Sequence, residues 1–272
     1  MRRTREVTGQ ILKSGVLVPE RPRAADQIFE DLRQGILCGD TPRGVRLPAE
    51  RDLAQQYGVS GATIREAIRG LSLMGLVEAR HGSGTYVTAD VSALVSLSLG
   101  SVIQLERLGV KDVLHVFGLL SVEAARLAAD RARPAEVTAL REALNRLDSV
   151  STIEEAVASL RAFHEALATA SGNALLAALC IFLSNLQLEL ALKAVEASLP
   201  IWQSVLAQLQ PARHALVNAV ADGKADEAAQ RADVFAREAA ALITSLPRIQ
   251  QVRGADPDLS SLIAAVVAQR PL

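Results

Sequence analysis

The residues best suited to chemistry lie between positions 51 and 82. Ser60, Gly61, Ala62, Thr63 and Arg65 stand together at the start of an apolar-periodic stretch, with Arg69 one turn beyond Arg65. A helix beginning there presents hydroxyls and free backbone N–H groups at the positive end of its dipole, a grouping that grips phosphate. Its small residues let the helix end come close to a duplex, while Arg65 and Arg69 project from one side. An arginine so placed pairs with phosphate or, in the major groove, with the O6/N7 edge of guanine. Arg51 is placed for a flanking contact, and His81-Gly82, at a later turn, for a touch on the backbone or minor groove. A lone surface arginine is ordinarily a solvated charge; the grouping at this spacing is what points to nucleic acid.

These side chains need a scaffold, and the surrounding sequence supplies one. Ala25, Ile28, Leu32 and Ile36 recur every three or four positions, which predicts a helix that Gly39 ends. Thr41-Pro42-Arg43-Gly44 forms a turn. Pro48 opens a second helix over Ala49–Tyr57, ended by Gly58. Ser60 caps a third over Gly61–Met74, with Ile64, Ile68 and Leu71 inward and Gly75 as its stop. Leu76–Arg80 and Gly84–Val87 flank His81-Gly82-Ser83 and predict a hairpin. Three helices followed by a hairpin, with Tyr57-Gly58-Val59-Ser60 joining the last two helices, is the order of a winged helix-turn-helix. In that arrangement the third helix enters the major groove.

Past residue 100 the strand signals vanish and alanine and leucine dominate. Helical stripes are predicted at 111–132, 134–149, 152–171, 173–196, 200–222 and 224–246, broken at Pro134, Ser171-Gly172-Asn173, Pro200 and Gly223 and closed by Pro247. A further apolar helix, Leu259–Gln269, follows Asp258. The expected fold is therefore mainly α. It has a flexible basic arm at 1–23, a winged helix-turn-helix of three helices plus a β-hairpin at 24–88, and a linker at 89–104. An all-α helical bundle at 105–247 and a C-terminal extension with one helix at 248–272 complete it. The arm carries six basic and two acidic residues, with Pro19 and Pro22. His164 shares an apolar stripe with Leu160 and Leu167, the setting of an ordinary core histidine. Gln210, His214 and Asn218 recur at four-residue spacing, a polar stripe that suits a pocket wall.

Composition narrows the function classes. With 272 residues, 50% of them hydrophobic, wholesale disorder is excluded. The 29 basic and 30 acidic residues rule out a uniformly basic coat and leave room for a local basic face. Cys38 and Cys180 form no disulfide framework and fit no zinc spacing, so a reducing cytoplasm is the expected compartment. The longest unbroken apolar run, Ala174–Leu183, is ten residues. That is short of the roughly 18–20 that span a bilayer. No apolar core and cleavage site follow the N-terminal arginines, so no signal peptide and no membrane partner are expected. His81, His115, His164 and His214 stand in no nucleophile context, which argues against an enzyme. An architectural DNA-binding protein, marked by a solid bundle core and no effector, is the alternative.

Leu47-Pro48-Ala49-Glu50-Arg51-Asp52-Leu53-Ala54, Val59-Ser60, Ile64-Arg65-Glu66-Ala67-Ile68, Gly75-Leu76-Val77 and His81-Gly82-Ser83-Gly84-Thr85-Tyr86-Val87 closely resemble the DNA-binding domain of GntR-family bacterial transcription regulators. The resemblance implies that Arg51, Ser60, Thr63, Arg65 and His81-Gly82 lie at the DNA. Gly61 departs from it: many relatives carry a base-reading arginine there, so the familiar operator sequence does not carry over. Residues 105–246 are similar to the all-helical effector domain of the FadR-like branch. The carrying segments include Glu123-Ala124-Ala125-Arg126, Phe163-His164 with Ser171-Gly172-Asn173, and His214-Ala215-Leu216-Val217-Asn218. Together these imply a transcription regulator, expected to be a repressor. It would bind a palindromic double-stranded DNA operator as a homodimer and respond to a small metabolite.

Many domains of this branch hold a divalent metal with one Asp and three His, and the metal receives an organic acid. Here only His164 and His214 match those ligands, which makes a divalent metal at these two residues the candidate cofactor. Leu160 stands where the Asp belongs and Ala236 where the third His belongs. Phe117 and Ser121 replace an arginine and a glutamate that face the effector. Two imidazoles alone rarely hold a metal against water. The expectation is a remodelled effector pocket at His164, His214, Asn218 and Phe117, for a less acidic or more apolar ligand. Relatives fused to aminotransferase-like enzymes need a long α/β second domain and a cofactor lysine, whereas this chain has four lysines and a strandless C-terminal half.

Overall fold

The computed structural model describes residues 24–89, 91–106, 108–194 and 198–245. The arm expected at 1–23 and the helix expected over Leu259–Gln269 lie outside the described residues. The chain divides after Ala89 into two compact units.

The first unit contains α1 (Ala24–Leu37), α2 (Glu50–Tyr57), α3 (Gly61–Leu73), β1 (Val77–Arg80) and β2 (Gly84–Val87). Helix α3 packs on both α1 and α2, and Ile28, Leu53, Ile64, Ala67 and Leu71 fill the space between them. Proline keeps to the edge of α2: the helix starts two residues after Pro48, with Ala49 as an extended N-cap. Gly58 ends α2 at φ +65° and returns its N–H to the carbonyls of Ala54 and Gln55, a left-handed cap that glycine takes without steric cost. Ser60 then starts α3, its hydroxyl accepting the Thr63 N–H at 3.2 Å. Strands β1 and β2 pair antiparallel from Val77↔Val87 to Arg80↔Gly84. The segment after the 41–44 turn joins them, with Leu47 N–H on the Thr85 carbonyl and Gly44 N–H on that of Val87, both at 2.8 Å. The hairpin is therefore held along β2 by a second run of chain.

The second unit is all helical: α4 (Val91–Leu105), α5 (Val110–Arg131), α6 (Pro134–Leu147), α7 (Ile153–Ala170), α8 (Ala174–Ala194), α9 (Leu199–Ala221) and α10 (Ala225–Ser245). Each predicted stripe from 111 onward becomes one of these helices, and the mainly α fold with a winged head is what the structure shows. The region expected to be a linker at 89–104 is instead largely α4. Its apolar residues alternate with serines and trace no narrow stripe, so periodicity does not announce it; it packs against α8. Helix ends follow local chemistry. Pro134 sits at the first position of α6. Thr152 and Glu155 form a reciprocal capping box at α7, and the Asn173 side chain accepts the Leu176 N–H at the start of α8.

Helix α8 is mostly apolar and has no single dry face, as suits a helix packed on most sides. Its Ala174–Leu192 stretch is long and apolar enough, by length and composition alone, to cross a bilayer. The ten-residue run counted in the sequence understated it, because Ser184, Asn185, Gln187 and Glu189 interrupt the run without ending the helix. Most of the stretch is buried within the unit, with Phe182, Leu186 and Leu190 almost fully enclosed, which is the situation of a core helix.

Candidate nucleic-acid interface and effector cavity

At the junction of α2 and α3 the structure gathers the polar residues expected at DNA. The Ser60 and Thr63 hydroxyls lie 2.9 Å apart over the first turn of α3, so the cap that starts the helix also fixes both groups. The Arg65 guanidinium is 63% exposed and lies 3.6 Å from the carboxylate of Glu50, in the first turn of α2. That pair links the two helices through their polar ends. Arg51 projects into solvent, 94% exposed, with Asp52 at 3.7 Å. Arg69 is exposed further along α3. A Cβ added at Gly61 would lie 3.6 Å from the Arg65 guanidinium, an ordinary contact, so glycine here opens space beside that arginine without being required by packing.

The hairpin presents His81 and Gly82 on a separate element. Both are exposed, and Gly82 has φ +69°, a conformation that favours glycine at the tip. Sequence reasoning overlooked Arg80 beside them. Its guanidinium stands over the Tyr86 ring at 4.7 Å from the ring centre, and the Tyr86 hydroxyl lies 2.7 Å from that of Ser83. The signal was available: Arg80 ends β1 opposite Gly84, and Tyr86 stands two residues further along the facing strand, within diagonal reach. The flank of the hairpin thus carries a positioned cation.

The helical unit encloses a cavity of about 20 Å³ walled by Leu114, Phe117, His164, Gln187, Leu216 and Phe235, among others. That is room for about one water molecule. Phe117 stands edge-on to the His164 ring at 5.6 Å, and Phe163 flanks it at 5.5 Å. The imidazole is buried and its Nδ1 has no hydrogen-bond partner. Burial, reinforced by the positive charge of Arg213, pulls its pKa down to about 4, so the ring is neutral at physiological pH.

Two residues expected in this pocket stand elsewhere. His214 Nε2 lies 2.9 Å from an Asp148 carboxylate oxygen at the outer surface of α9, and Gln210 Nε2 binds the other oxygen of Asp148 at 3.0 Å. Asn218 is exposed. The Gln210–His214–Asn218 stripe is thus an outward face, since an evenly spaced polar stripe on a helix suits water as well as it suits a pocket. The buried face of α9 carries Leu206, Leu209, Arg213, Leu216 and Val217. Arg213 was the residue to notice: a single cation at helical spacing within an apolar stripe.

The residues present do not fit the metal that the resemblance implies. His164 offers one unpartnered nitrogen at the cavity, Leu160 and Ala236 offer no donor, and His214 is turned to Asp148. Among the described residues no group of three or more His, Cys, Asp or Glu side chains is placed to hold an ion. The metal pair His164–His214 is therefore not assembled in this structure.

Comparison with known proteins agrees with both units. Residues 24–87 match the signature described as bacterial regulatory proteins, gntR family, and residues 112–243 match the FCD domain. The chain is 32% identical over 191 residues to the HTH-type transcriptional regulator LutR of Bacillus subtilis (strain 168), covering 70% of this chain and 87% of that protein. It is 36% identical over 135 residues to the HTH-type transcriptional regulator Mce2R of Mycobacterium tuberculosis (strain CDC 1551 / Oshkosh), covering 47% and 55%. A solved structure titled Streptococcus agalactiae GntR matches with a TM-score of 0.59 at 21% identity, over 80% of this chain and 99% of that one, a likeness of fold. These families and relatives are transcription regulators and not enzymes. With a winged helix-turn-helix domain followed along the chain by an FCD effector-binding domain, the chain belongs to the GntR family of bacterial transcription regulators.

Proposed function

We propose that this regulator is a repressor that acts in the cytoplasm on a palindromic operator as a homodimer, and that a small metabolite in the helical unit changes its grip. A two-fold protein reads a two-fold site, with one recognition helix in each half-site. The observation that carries the DNA reading is the first turn of α3, where a capped helix start, two fixed hydroxyls and an exposed Arg65 stand together. Arg51, Ser60, Thr63, Arg65 and Arg69 are the proposed contacts from the helices, and His81 and Gly82 those from the hairpin. The phosphate share of binding is salt-dependent and blind to sequence. Specificity then comes from arginine at base edges.

The test is a titration of purified protein against its own promoter region and a scrambled duplex at one fixed salt concentration. Tighter binding to the promoter, by a hundredfold or more on the scale usual for specific sites, is the expected result. Equal, weak and salt-erased binding to both would end the reading. The small cavity favours the second reading, an architectural protein without effector. A thermal-shift screen of metabolites separates the two: a ligand that raises Tm and alters promoter affinity supports the regulator.

A further inference from the structure

An open groove of about 360 Å³ runs along the outside of the helical unit between α5 and α10. The two helices are antiparallel there. Gly118 of α5 comes so close to α10 that a Cβ built on it would lie 3.4 Å from the Ala236 Cβ. Lys111 and Thr244 therefore mark one end of the groove, and Val122 and Asp233 the other. Ala236, Ala240 and Ala241 give its α10 side small apolar groups, and Leu119 stands on the α5 side, 60% exposed. An exposed leucine beside a furrow of small residues is the shape that receives the ridge of another helix. From Lys111 to Val122 the groove is about 16 Å long at 1.5 Å per residue, the length of three helical turns.

We propose that this groove is the seat of the chain's own segment 259–269, lying in it as a three-turn helix. Leu259, Leu262, Ile263 and Val266 recur at the three- and four-residue spacing of one helix face, and Asp258 stands at the capping position before them. The eleven residues of the segment carry no charged side chain. As a helix they measure about 16 Å, the length of the groove. Helix α10 ends at Ser245, one residue past Thr244 at the end of the groove, and thirteen residues, 246–258, lead from there to Leu259. Extended, they reach about 40 Å, more than a return onto the groove requires. Charge agrees with chain direction. A segment that enters beside Thr244 and runs back along α10 sets Asp258 near Lys111 and Arg270 near Asp233, which also pairs with Arg237. A second copy of the chain is the competing occupant. A stable dimer buries about 1,200–2,000 Å², whereas this furrow has the length of one short helix, and a tethered segment meets it at an effective concentration of about millimolar.

The experiment is disulfide trapping in the full chain, with Cys38→Ser to remove the exposed native thiol; Cys180 is buried. Leu119→Cys is paired with Val266→Cys, on the face expected to dock, or with Ala268→Cys, on the opposite face. Both partners hang on the same tether, so only docking tells them apart. Under mild oxidation by copper phenanthroline the 119–266 pair is expected to close within one chain roughly tenfold faster than the 119–268 pair, and Ile263→Asp is expected to abolish that preference. Equal rates for the two pairs, or no disulfide within a chain, overturn the proposal. So does a 119–266 disulfide that joins two chains, which assigns the groove to a second copy. Because Leu119→Cys itself removes an apolar contact, amide exchange is read in the unaltered chain as well. Amides 263–267 are expected to exchange roughly tenfold slower than in the free peptide, and exchange at the peptide rate refutes the docking.

Discussion

Replacing Arg65 by alanine is the sharpest probe of the α3 surface, because the free protein already gives this arginine a partner. The guanidinium lies 3.6 Å from Glu50, and both side chains are substantially exposed. An exposed pair of this kind is worth about 0.2–1 kcal/mol, so Arg65→Ala costs little in folding. An arginine that pairs with a base edge is worth about 1–3 kcal/mol of operator affinity, or roughly 5- to 150-fold in Kd. To reach DNA, Arg65 leaves Glu50, and the pair is a toll on binding. Glu50→Gln is therefore expected to tighten operator binding by roughly 1.4- to 5-fold, the opposite direction from Arg65→Ala. Fluorescence anisotropy at fixed salt reads both. A phosphate contact in place of a base contact would weaken all duplexes alike and lower the salt slope by about 1. Loss of a base contact would instead relax discrimination at one operator position. The reasoning is refuted if Arg65→Ala binds the operator as tightly as the wild type while Glu50→Gln is also silent.

Three further outcomes follow from the geometry. Ser60→Ala removes the cap on α3 and costs about 1 kcal/mol, read as roughly fivefold faster amide exchange at Thr63; unchanged exchange would show that the hydroxyl holds nothing. His164 has a folded pKa near 4 against an ordinary value of 6.5, so below pH 6.5 the unfolded chain binds the extra proton and stability drains away as pH falls toward 4. Urea denaturation is expected to show up to about 3 kcal/mol of this loss, flattened in His164→Leu; identical pH profiles would rule His164 out as the source. Elemental analysis of the purified protein is expected to find no stoichiometric metal, and a chelator is expected to leave Tm unchanged; one tightly held ion per chain would overturn that.

Legibility in the sequence tracked how local each feature is. Ser60 and Gly58 act on their own backbone neighbours, so the start of α3 and the end of α2 were readable from single residues. The helical stripes from 111 onward were readable because each helix but α8 has one dry face, and α8 shows instead as a long apolar stretch between breaks. Helix α4 was not, since Val91–Leu105 mixes serines and aliphatics around its circumference, and it is tertiary packing, against α8 above all, that makes it a packed element. The pocket was half legible: Phe117 and His164 do meet. His214 and Asn218 do not join them, because which face of α9 turns inward is decided by Leu206, Leu209, Leu216 and Val217, and Arg213 rides with that set. Counting polar residues along one stripe pointed to the wrong side of the helix.

The greasy circumference of α8 also governs how the protein can be cut. Contacts from α4, α5 and α7 shield it, so shortened versions that omit any of these strip cover from a nineteen-residue apolar rod. Such fragments will precipitate or cling to vesicles in the tube. Truncation studies of the DNA head should therefore sever the chain at Ala89 and discard the whole helical unit.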